Sequence, residues 1–261
     1  MMTVHHLIAP SVAQDSAKRG TSSVPRFAVL LRFAPVVATL LIMSAATGDP
    51  APGDAWIGRA LQHVPLGWLP ANVAVFLARP SVLFVAWCVG AVAALRSRNW
   101  RLVAAAVLVL IALSVNPILK ELFARPRPGA HELIIRRAAD GFGFPSGHTS
   151  SATLMYGYAA LALASVAPPR MARLCIGAAS AAIGLIAFER VYAGAHWPSD
   201  VAGGFISGAL LVAGCMTLGG LIASRVLGHR RSSALTPAAQ PVIAPRPVHT
   251  RTFTDAVERI P

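Results

Sequence analysis

Long apolar runs separated by short polar gaps dominate the hydrophobic pattern of the chain. A helix that spans a membrane needs about 20 predominantly apolar residues, and six segments approach this length. They lie at about 27–47, 73–95, 102–119, 148–167, 174–189 and 201–223. Arg79 and Pro80 interrupt the second segment, and the fifth is short. The pattern therefore predicts an all-α protein that forms a six-span transmembrane helical bundle.

The basic residues between these segments predict the orientation of the bundle, because short cytoplasmic loops carry an excess of Lys and Arg. With six spans, the basic residues near the ends of spans one, two, four and six all lie on the same side. They are Lys18, Arg19, Arg26, Arg96, Arg98, Arg101, Arg170, Arg173, Arg225, Arg230 and Arg231. Both termini are therefore predicted to be cytoplasmic. The loops at about 48–72, 120–147 and 190–200 are predicted to be extracytoplasmic.

Composition agrees with a membrane protein. The 261 residues are 55% hydrophobic and 13% charged, against roughly 25% charged residues in soluble domains, and the mean hydropathy is +0.61. The net charge of +13 is also found in proteins that bind nucleic acid. Here the basic residues lie mostly in the gaps between spans and in the two tails, which favours a membrane topology without a nucleic acid partner.

Three regions follow from the pattern. Residues 1–26 are polar and predict a flexible N-terminal segment, and residues 27–227 form one membrane domain. Residues 228–261 include "TPAAQPVIAPRPVH" and predict a disordered cytoplasmic tail. Inside the domain, "DAWIGRALQH" predicts an amphipathic helix at the membrane surface. The spacing of Gly204 and Gly208 predicts close packing between helices.

Polar residues gather at three places on the predicted extracytoplasmic side. The first is "NPILKELFARPRPGAHE", with Lys120, Arg125 and Arg127. The two prolines that follow the arginines disfavour helix at the residues before them. The segment "ARPRP" is therefore predicted to leave the helix and to hold its arginines over this face, although such cations also contact lipid headgroups.

The second place is "FPSGH". Ser146 is predicted to cap the helix of span four, which leaves the amides of Gly147, His148 and Thr149 at the first turn. A helix N-terminus is an anion site that suits phosphate. An ordinary capped helix with an interfacial histidine is the alternative for these four residues taken alone.

The third place is "ERVYAGAHWPSD", which holds Arg190, His196 and Asp200. Pro198 suits the first turn of a helix, so His196 and Asp200 can approach each other across the start of span six. A carboxylate that accepts a hydrogen bond from one imidazole nitrogen leaves the other nitrogen available as base or nucleophile.

Together the three places supply the groups for phosphoryl transfer through a phosphohistidine. The cations would neutralise the phosphate and its transition state. His196 would attack, Asp200 would orient it, and His148 would protonate the leaving oxygen and then activate water. No metal and no other cofactor is predicted, because the sequence holds no carboxylate cluster for Mg²⁺.

These segments resemble, in order, the three motifs of the type 2 phosphatidic acid phosphatase and haloperoxidase superfamily. "KELFARPRP" is similar to the first motif, "PSGH" to the second and "RVYAGAHWPSD" to the third. The match covers residues 120–200, and the six predicted spans resemble the integral-membrane branch rather than the soluble, vanadate-binding branch.

The resemblance implies a role for each matching residue. It implies that phosphate is bound by Lys120, Arg127, Ser146, Gly147 and Arg190. It implies that His148 is the general acid, His196 the nucleophile and Asp200 its partner. The third motif usually begins Ser-Arg, whereas here Glu189 precedes Arg190 and is placed to pair with it and to alter substrate preference. Arg125 lies in the variable stretch of the first motif, so the resemblance implies no role for it.

The function expected from the resemblance is that of a metal-independent lipid phosphatase in the bacterial inner membrane, with its site on the extracytoplasmic side. Its substrate would be a phosphatidate-like lipid or a polyprenyl diphosphate such as undecaprenyl diphosphate. The alternative is a membrane transporter or binding protein that holds anionic headgroups without chemistry. The pair of His196 and Asp200 favours the enzyme over this alternative, and the full motif set disfavours a member with only a structural or regulatory role. The sequence does not distinguish among lipid substrates or oligomeric states.

Overall fold

The computed structural model of the chain describes residues 48–234, with side chains as far as Val226. Eight helices and no β-strand are found in this described part. They are α1 Asp54–Gln62, α2 Trp68–Leu77, α3 Pro80–Arg96, α4 Trp100–Ala112, α5 Val115–Phe123, α6 Gly147–Ala164, α7 Pro169–Tyr192 and α8 Pro198–Ala234. The predicted all-α class is therefore confirmed. The predicted N-terminal segment, the first predicted span and the tail from residue 235 onward lie outside the described residues.

Within residues 48–234, three segments are long and apolar enough to cross a membrane, and a bent pair of helices adds a fourth. The three are Trp100–Phe123, which joins α4 and α5, then α7, and Pro198–Val226 of α8. The fourth is formed by α2 and α3, which meet at an angle of 59°. Five of the six predicted spans fall in the described range, and four of these five qualify as spans. The one that does not qualify is α6. The first turns of α6 hold Thr, Ser and His, which weaken its apolar signal, and the count of six stays a prediction.

The bend between α2 and α3 lies at Arg79 and Pro80, where the sequence predicts an interruption. The backbone of Arg79 is extended, and Pro80 is the first residue of α3. A proline ring is compatible with the first turn of a helix but not with its interior. The second predicted span is therefore two helices rather than one.

Two other helices differ from their predicted bounds. The span predicted at 174–189 is a 24-residue helix, α7, because Pro169 starts the helix before the apolar run begins. At the other end of the domain, α8 continues to Ala234, beyond the predicted domain boundary at residue 227. In both cases the helix extends past the apolar residues that reveal a span in the sequence.

Helix α6 lies at the centre of the fold and packs against α3, α7 and α8. Ten of its 18 residues are buried, which explains why small and polar side chains are tolerated in it. Tyr158 is fully buried and donates a hydrogen bond to the carbonyl of Leu102 on α4 at 3.1 Å. Packing against three helices and this hydrogen bond hold α6 in a defined position.

Gly204 and Gly208 provide the close helix packing that their spacing predicts. A Cβ atom at Gly204 would lie 2.5 Å from the carbonyl oxygen of Ser146, and one at Gly208 would lie 2.7 Å from that of Ser150. Both contacts join α8 to the backbone of α6. Only glycine allows the two helices to approach this closely.

Helix α1 forms where the sequence predicts an amphipathic surface helix, but its buried face is the polar one. Asp54, Gly58 and Gln62 are buried and lie four residues apart along one side, whereas Trp56 is 75% exposed. Gln62 donates to the carbonyl of Ile134 at 2.7 Å and accepts from its amide at 3.0 Å. The helix is thus fixed to the loop between α5 and α6 by hydrogen bonds.

Replacing Gly208 by alanine is expected to destabilise the protein, because the added methyl group would collide with the backbone of α6. Overpacking of this kind costs about 1–3 kcal/mol, or roughly 3–10 °C in the thermal midpoint. A Cβ atom at Gly214, on the same helix, would have no heavy atom within 4 Å, so this position serves as the matched control. Thermal unfolding in detergent should show a lower midpoint for Gly208→Ala and an unchanged or higher one for Gly214→Ala. Equal midpoints would contradict the close packing.

Candidate active site

In the loop between α5 and α6, the side chains of Arg125 and Arg127 point in different directions. Ala124 ends α5 in the left-handed conformation, with φ of 44°, and the "ARPRP" segment that follows is not helical, as predicted. Arg127 lines a cavity of about 760 Å³. Arg125 does not line it and is completely buried behind it. The prediction that both arginines face the site is therefore wrong for Arg125, because two buried carboxylates hold it on the other side.

Five of the eight predicted site residues line this cavity. They are Lys120, Arg127, Gly147, His148 and His196. The other three lie directly behind it, next to residues that line it. Asp200 Oδ2 is 3.4 Å from Nδ1 of His196, and Arg190 Nη1 is 3.4 Å from Nδ1 of His148. Ser146 directly precedes Gly147 in the chain. The fold therefore brings the three sequence segments to one place.

The hydrogen-bond partners of His196 determine where its proton lies. Arg127 Nη1 is 3.0 Å from Nε2 of the imidazole, and a guanidinium can only donate. Nε2 must therefore accept, which leaves the proton on Nδ1, opposite the Asp200 carboxylate. This tautomer has its free electron pair on the nitrogen at the cavity, as a nucleophile requires.

Burial lowers the pKa of His196 to about 4, and the nearby cations Arg127 and Lys120 act in the same direction. Hydrogen bonding and charge attraction from Asp200 oppose this shift. The pKa of Arg127 is also lowered, first by burial and then by repulsion from Arg190. At neutral pH the imidazole of His196 is therefore neutral, in agreement with the contact from Arg127.

Main-chain carbonyls hold the two cations at the cavity. Lys120 Nζ donates to the carbonyl of Phe142 at 2.5 Å. Arg127 donates to the carbonyls of Gly141, Asp140 and Ala195 at 2.9, 3.0 and 2.6 Å. Within residues 48–226 neither cation forms an ion pair with a carboxylate. The positive charge of the cavity is therefore available to an anionic ligand.

The start of α6 supplies free backbone amides to the same cavity. Ser146 occupies the N-cap position with extended backbone, but its side chain does not cap the helix. Its Oγ instead accepts a hydrogen bond from the Thr149 hydroxyl at 3.2 Å, and its amide donates to the carbonyl of Asp200 at 2.9 Å. The predicted side-chain cap is therefore wrong. The amides of Gly147 and His148 remain at the first turn, where an anion is stabilised.

Gly147 allows close approach at this turn. A Cβ atom there would lie 3.0 Å from Oδ1 of Asn116 and 3.6 Å from Cε of Lys120. Asn116 is buried and donates to the carbonyl of Pro145 at 3.4 Å. The sequence shows Asn116 only as a polar residue inside an apolar run, and its contact with the turn was not predicted.

The expected pairing of Glu189 with Arg190 is present. Both side chains are buried, and the guanidinium donates to Oε2 of Glu189. Oε1 accepts from Arg137 of the α5–α6 loop at 3.2 Å. In contrast to the cations of the cavity, Arg190 is therefore balanced by a carboxylate. Arg137 was not predicted, because nothing in the sequence relates it to Glu189, which lies 52 residues away.

Metal-ligating side chains do not cluster in the part of the chain that the structure describes. No three His, Cys, Asp or Glu side chains among these residues converge as ligands. The predicted lack of a metal requirement stays a prediction for experiment.

The lowered pKa of His196 predicts a pH-dependent loss of stability. The unfolded chain binds a proton at His196 below about pH 6.5, whereas the folded chain does so only near pH 4. Stability is therefore lost as the pH falls through this window, by about 3 kcal/mol for this residue. In detergent, His196→Gln should lose less free energy of unfolding than the parent chain between pH 7 and pH 4. Parallel pH curves for the two proteins would contradict the buried, neutral imidazole.

Comparisons with known proteins identify relatives of this chain. Residues 100–221 match the family described as the PAP2 superfamily. Phosphatidylglycerophosphatase B of Bacillus subtilis (strain 168) is 34% identical over 102 residues, which are 37% of this chain and 47% of that protein. The matched stretch thus spans about half of that relative.

A solved structure is similar over a longer stretch. It is the crystal structure of the first transmembrane PAP2 type phosphatidylglycerolphosphate phosphatase from Bacillus subtilis, with a TM-score of 0.59 and 26% identity. The similarity covers 73% of this chain and 98% of that one. Residues 100–221, whose three motif segments surround one cavity, belong to the PAP2 superfamily.

Proposed function

We propose that the chain is a metal-independent lipid phosphatase that acts through a phosphohistidine. In this proposal it has six spans with both termini in the cytoplasm, and its site faces the extracytoplasmic side of the bacterial plasma membrane. The observation that carries the proposal is the position of His196. Its Nε2 electron pair lies at a cavity with two cations that form no ion pair with a carboxylate among the described residues, and Asp200 lies behind its other nitrogen.

The geometry supports a first step in which the phosphoryl group moves to His196. The phosphate would be bound by Lys120, Arg127, Arg190 and the start of α6, where Ser146 and Gly147 lie. As its oxygens take the hydrogen bonds of Arg127, Nε2 is released to attack phosphorus. The P–O bond to the lipid breaks, its electron pair goes to the lipid oxygen, and His148 protonates that oxygen. Asp200 stabilises the positive charge that develops on His196.

The second step regenerates the enzyme. His148, now without its proton, would take one from water, and the water oxygen would attack the phosphorus of the phosphohistidine. The P–N bond breaks, its electron pair returns to Nε2 of His196, and inorganic phosphate leaves. A diphosphate reacts in the same way, with the lipid monophosphate as leaving group.

The apolar part of the same cavity supports a lipid as substrate. Beyond the cations, the cavity is lined by residues from α3, α4 and α6, by Ala78 at the α2–α3 bend and by Leu113 just after α4. They include Ala78, Pro80, Leu83, Phe84, Leu113 and Met155. A phosphate bound at the polar end would leave its hydrocarbon chain in this apolar part. The names of the two relatives favour phosphatidylglycerophosphate, and phosphatidate and polyprenyl diphosphate share the same chemistry.

A lipid transporter or binding protein is the competing function, since it would use the same cations. Such a protein does not need an imidazole whose tautomer is determined by a hydrogen-bond partner at each ring nitrogen. The arrangement of Arg127, His196 and Asp200 therefore favours the enzyme.

Replacing His196 by alanine is expected to lower phosphate release by about a thousandfold or more, because the nucleophile is lost. The measurement is phosphate release from phosphatidylglycerophosphate in mixed micelles, with and without EDTA. EDTA should leave the activity of the parent chain unchanged. An active His196→Ala variant would contradict the role of His196, and loss of activity on chelation would contradict metal independence.

Substrates with a hydrocarbon chain are expected to react much faster than the same headgroup without one. Each buried CH₂ contributes about 0.8 kcal/mol, so a few of them in the apolar part of the cavity are sufficient for a hundredfold difference in kcat/KM. The measurement compares phosphatidate, phosphatidylglycerophosphate and undecaprenyl diphosphate with glycerol 3-phosphate. Equal kcat/KM for glycerol 3-phosphate and the lipids would contradict a lipid site.

A further inference from the structure

Arg125 is a completely buried cation that the phosphatase mechanism does not use. Its Nη1 donates to Oγ of Ser199 at 2.7 Å and to Oδ1 of Asp200 at 3.0 Å. Its Nη2 donates to the carbonyl of Asp49 at 2.9 Å and to Oδ2 of Asp54 at 3.1 Å. A buried charge is tolerated only when it is paired and hydrogen-bonded, and here both carboxylates are buried as well. Arg125 thus joins α1 to the residue that orients the nucleophile.

Asp54 is the second unexplained group of this cluster. It is 3% exposed, at the start of α1, and it reaches the first turn of α8. Oδ1 accepts from the amide of Ser199 at 2.8 Å, and Oδ2 accepts from the Ser199 hydroxyl at 2.5 Å. A carboxylate at a helix N-terminus satisfies a free amide and interacts favourably with the helix dipole. Asp54 therefore caps the helix that carries Asp200, from 145 residues away.

The carboxylate of Asp200 is held on both of its oxygens. Oδ1 accepts from Arg125 at 3.0 Å. Oδ2 accepts from the amide of Trp197 at 3.0 Å and faces Nδ1 of His196 at 3.4 Å. A rotation of this carboxylate would break its ion pair with Arg125, so the angle at which Asp200 faces His196 depends on that pair.

We propose that Asp54 and Arg125 are positioning residues that act on His196 through Asp200. The proposal rests on the phosphatase function proposed above. Neither residue lines the cavity, and Asp54 lies outside the segment 100–221 that matches the family. Arg125 divides its donors between two carboxylates, and Asp54 keeps it from turning fully toward Asp200.

Removing the charge of Asp54 therefore has a defined consequence. In Asp54→Asn the side chain keeps its size, but Arg125 then has Asp200 as its one remaining carboxylate in the cluster. A stronger pair with Arg125 leaves Asp200 less able to stabilise the charge that forms on His196. Loss of a partner that orients a metal ligand lowers activity by about 10–100-fold, and we expect an effect of similar size for partners that orient the nucleophile. We expect this loss in kcat, with KM changed by less than about threefold, because Lys120 and Arg127 are untouched.

The test compares Asp54→Asn, Asp200→Asn and the double variant in the full-length chain. If Asp54 acts through Asp200, the double variant will have the kcat of Asp200→Asn alone. Arg125→Lys, which keeps the charge but cannot donate to both carboxylates in the same way, should also lower kcat. Multiplicative losses in the double variant, or an unchanged kcat in Asp54→Asn, would overturn the proposal.

Gln62→Met supplies the matched control for a purely structural effect. Gln62 lies two turns further along α1, is 5% exposed and holds the same helix through hydrogen bonds to Ile134. It should lower the thermal midpoint and leave kcat unchanged. An equal loss of kcat in Gln62→Met and Asp54→Asn would overturn the positioning role, whereas an inactive parent chain would instead reject the phosphatase function.

Discussion

The close approach of α6 and α8 is the constraint on which the site depends. Gly204 brings α8 against the carbonyl of Ser146, and the amide of Ser146 donates to the carbonyl of Asp200. This contact places the starts of two long helices side by side. His148 lies at the beginning of one helix and His196 just before the other, so two imidazoles far apart in sequence share one cavity.

Charge is distributed around this contact in two ways. Lys120 and Arg127, at the cavity, are held by main-chain carbonyls, whereas Arg125 and Arg190 are paired with buried carboxylates. The first two cations supply attraction for an anion, whereas the charges of the latter two are balanced by carboxylates. A site that is electrostatically incomplete without its ligand stabilises a phosphate and its transition state without rearranging its own charges.

The sequence predicted the helices and the three polar segments because these depend on local patterns. The prolines of "ARPRP" disfavour helix at the residues before them, and His196 and Asp200 are four residues apart at a helix start. The contacts between Asp54 and Ser199 and between Arg137 and Glu189 join residues that no local pattern relates. The span predicted at α6 has a weak apolar signal for the same reason. Its polar side chains are tolerated because they are buried against other helices, and those contacts exist only in the fold. The side chain of Ser146 does not cap α6, and its oxygen instead accepts a hydrogen bond from Thr149. The spacing of these residues does not reveal which of the two contacts forms.

The central claim is that Nε2 of His196 becomes covalently attached to phosphorus. Its most direct test is rapid mixing of the purified chain with a lipid that carries a ³²P-labelled terminal phosphate, followed by quenching in alkali. The account predicts a labelled protein that is stable in alkali, labile in acid and missing in His196→Ala. Turnover of the lipid with no labelled protein at any quench time, or with label that persists in His196→Ala, would contradict it.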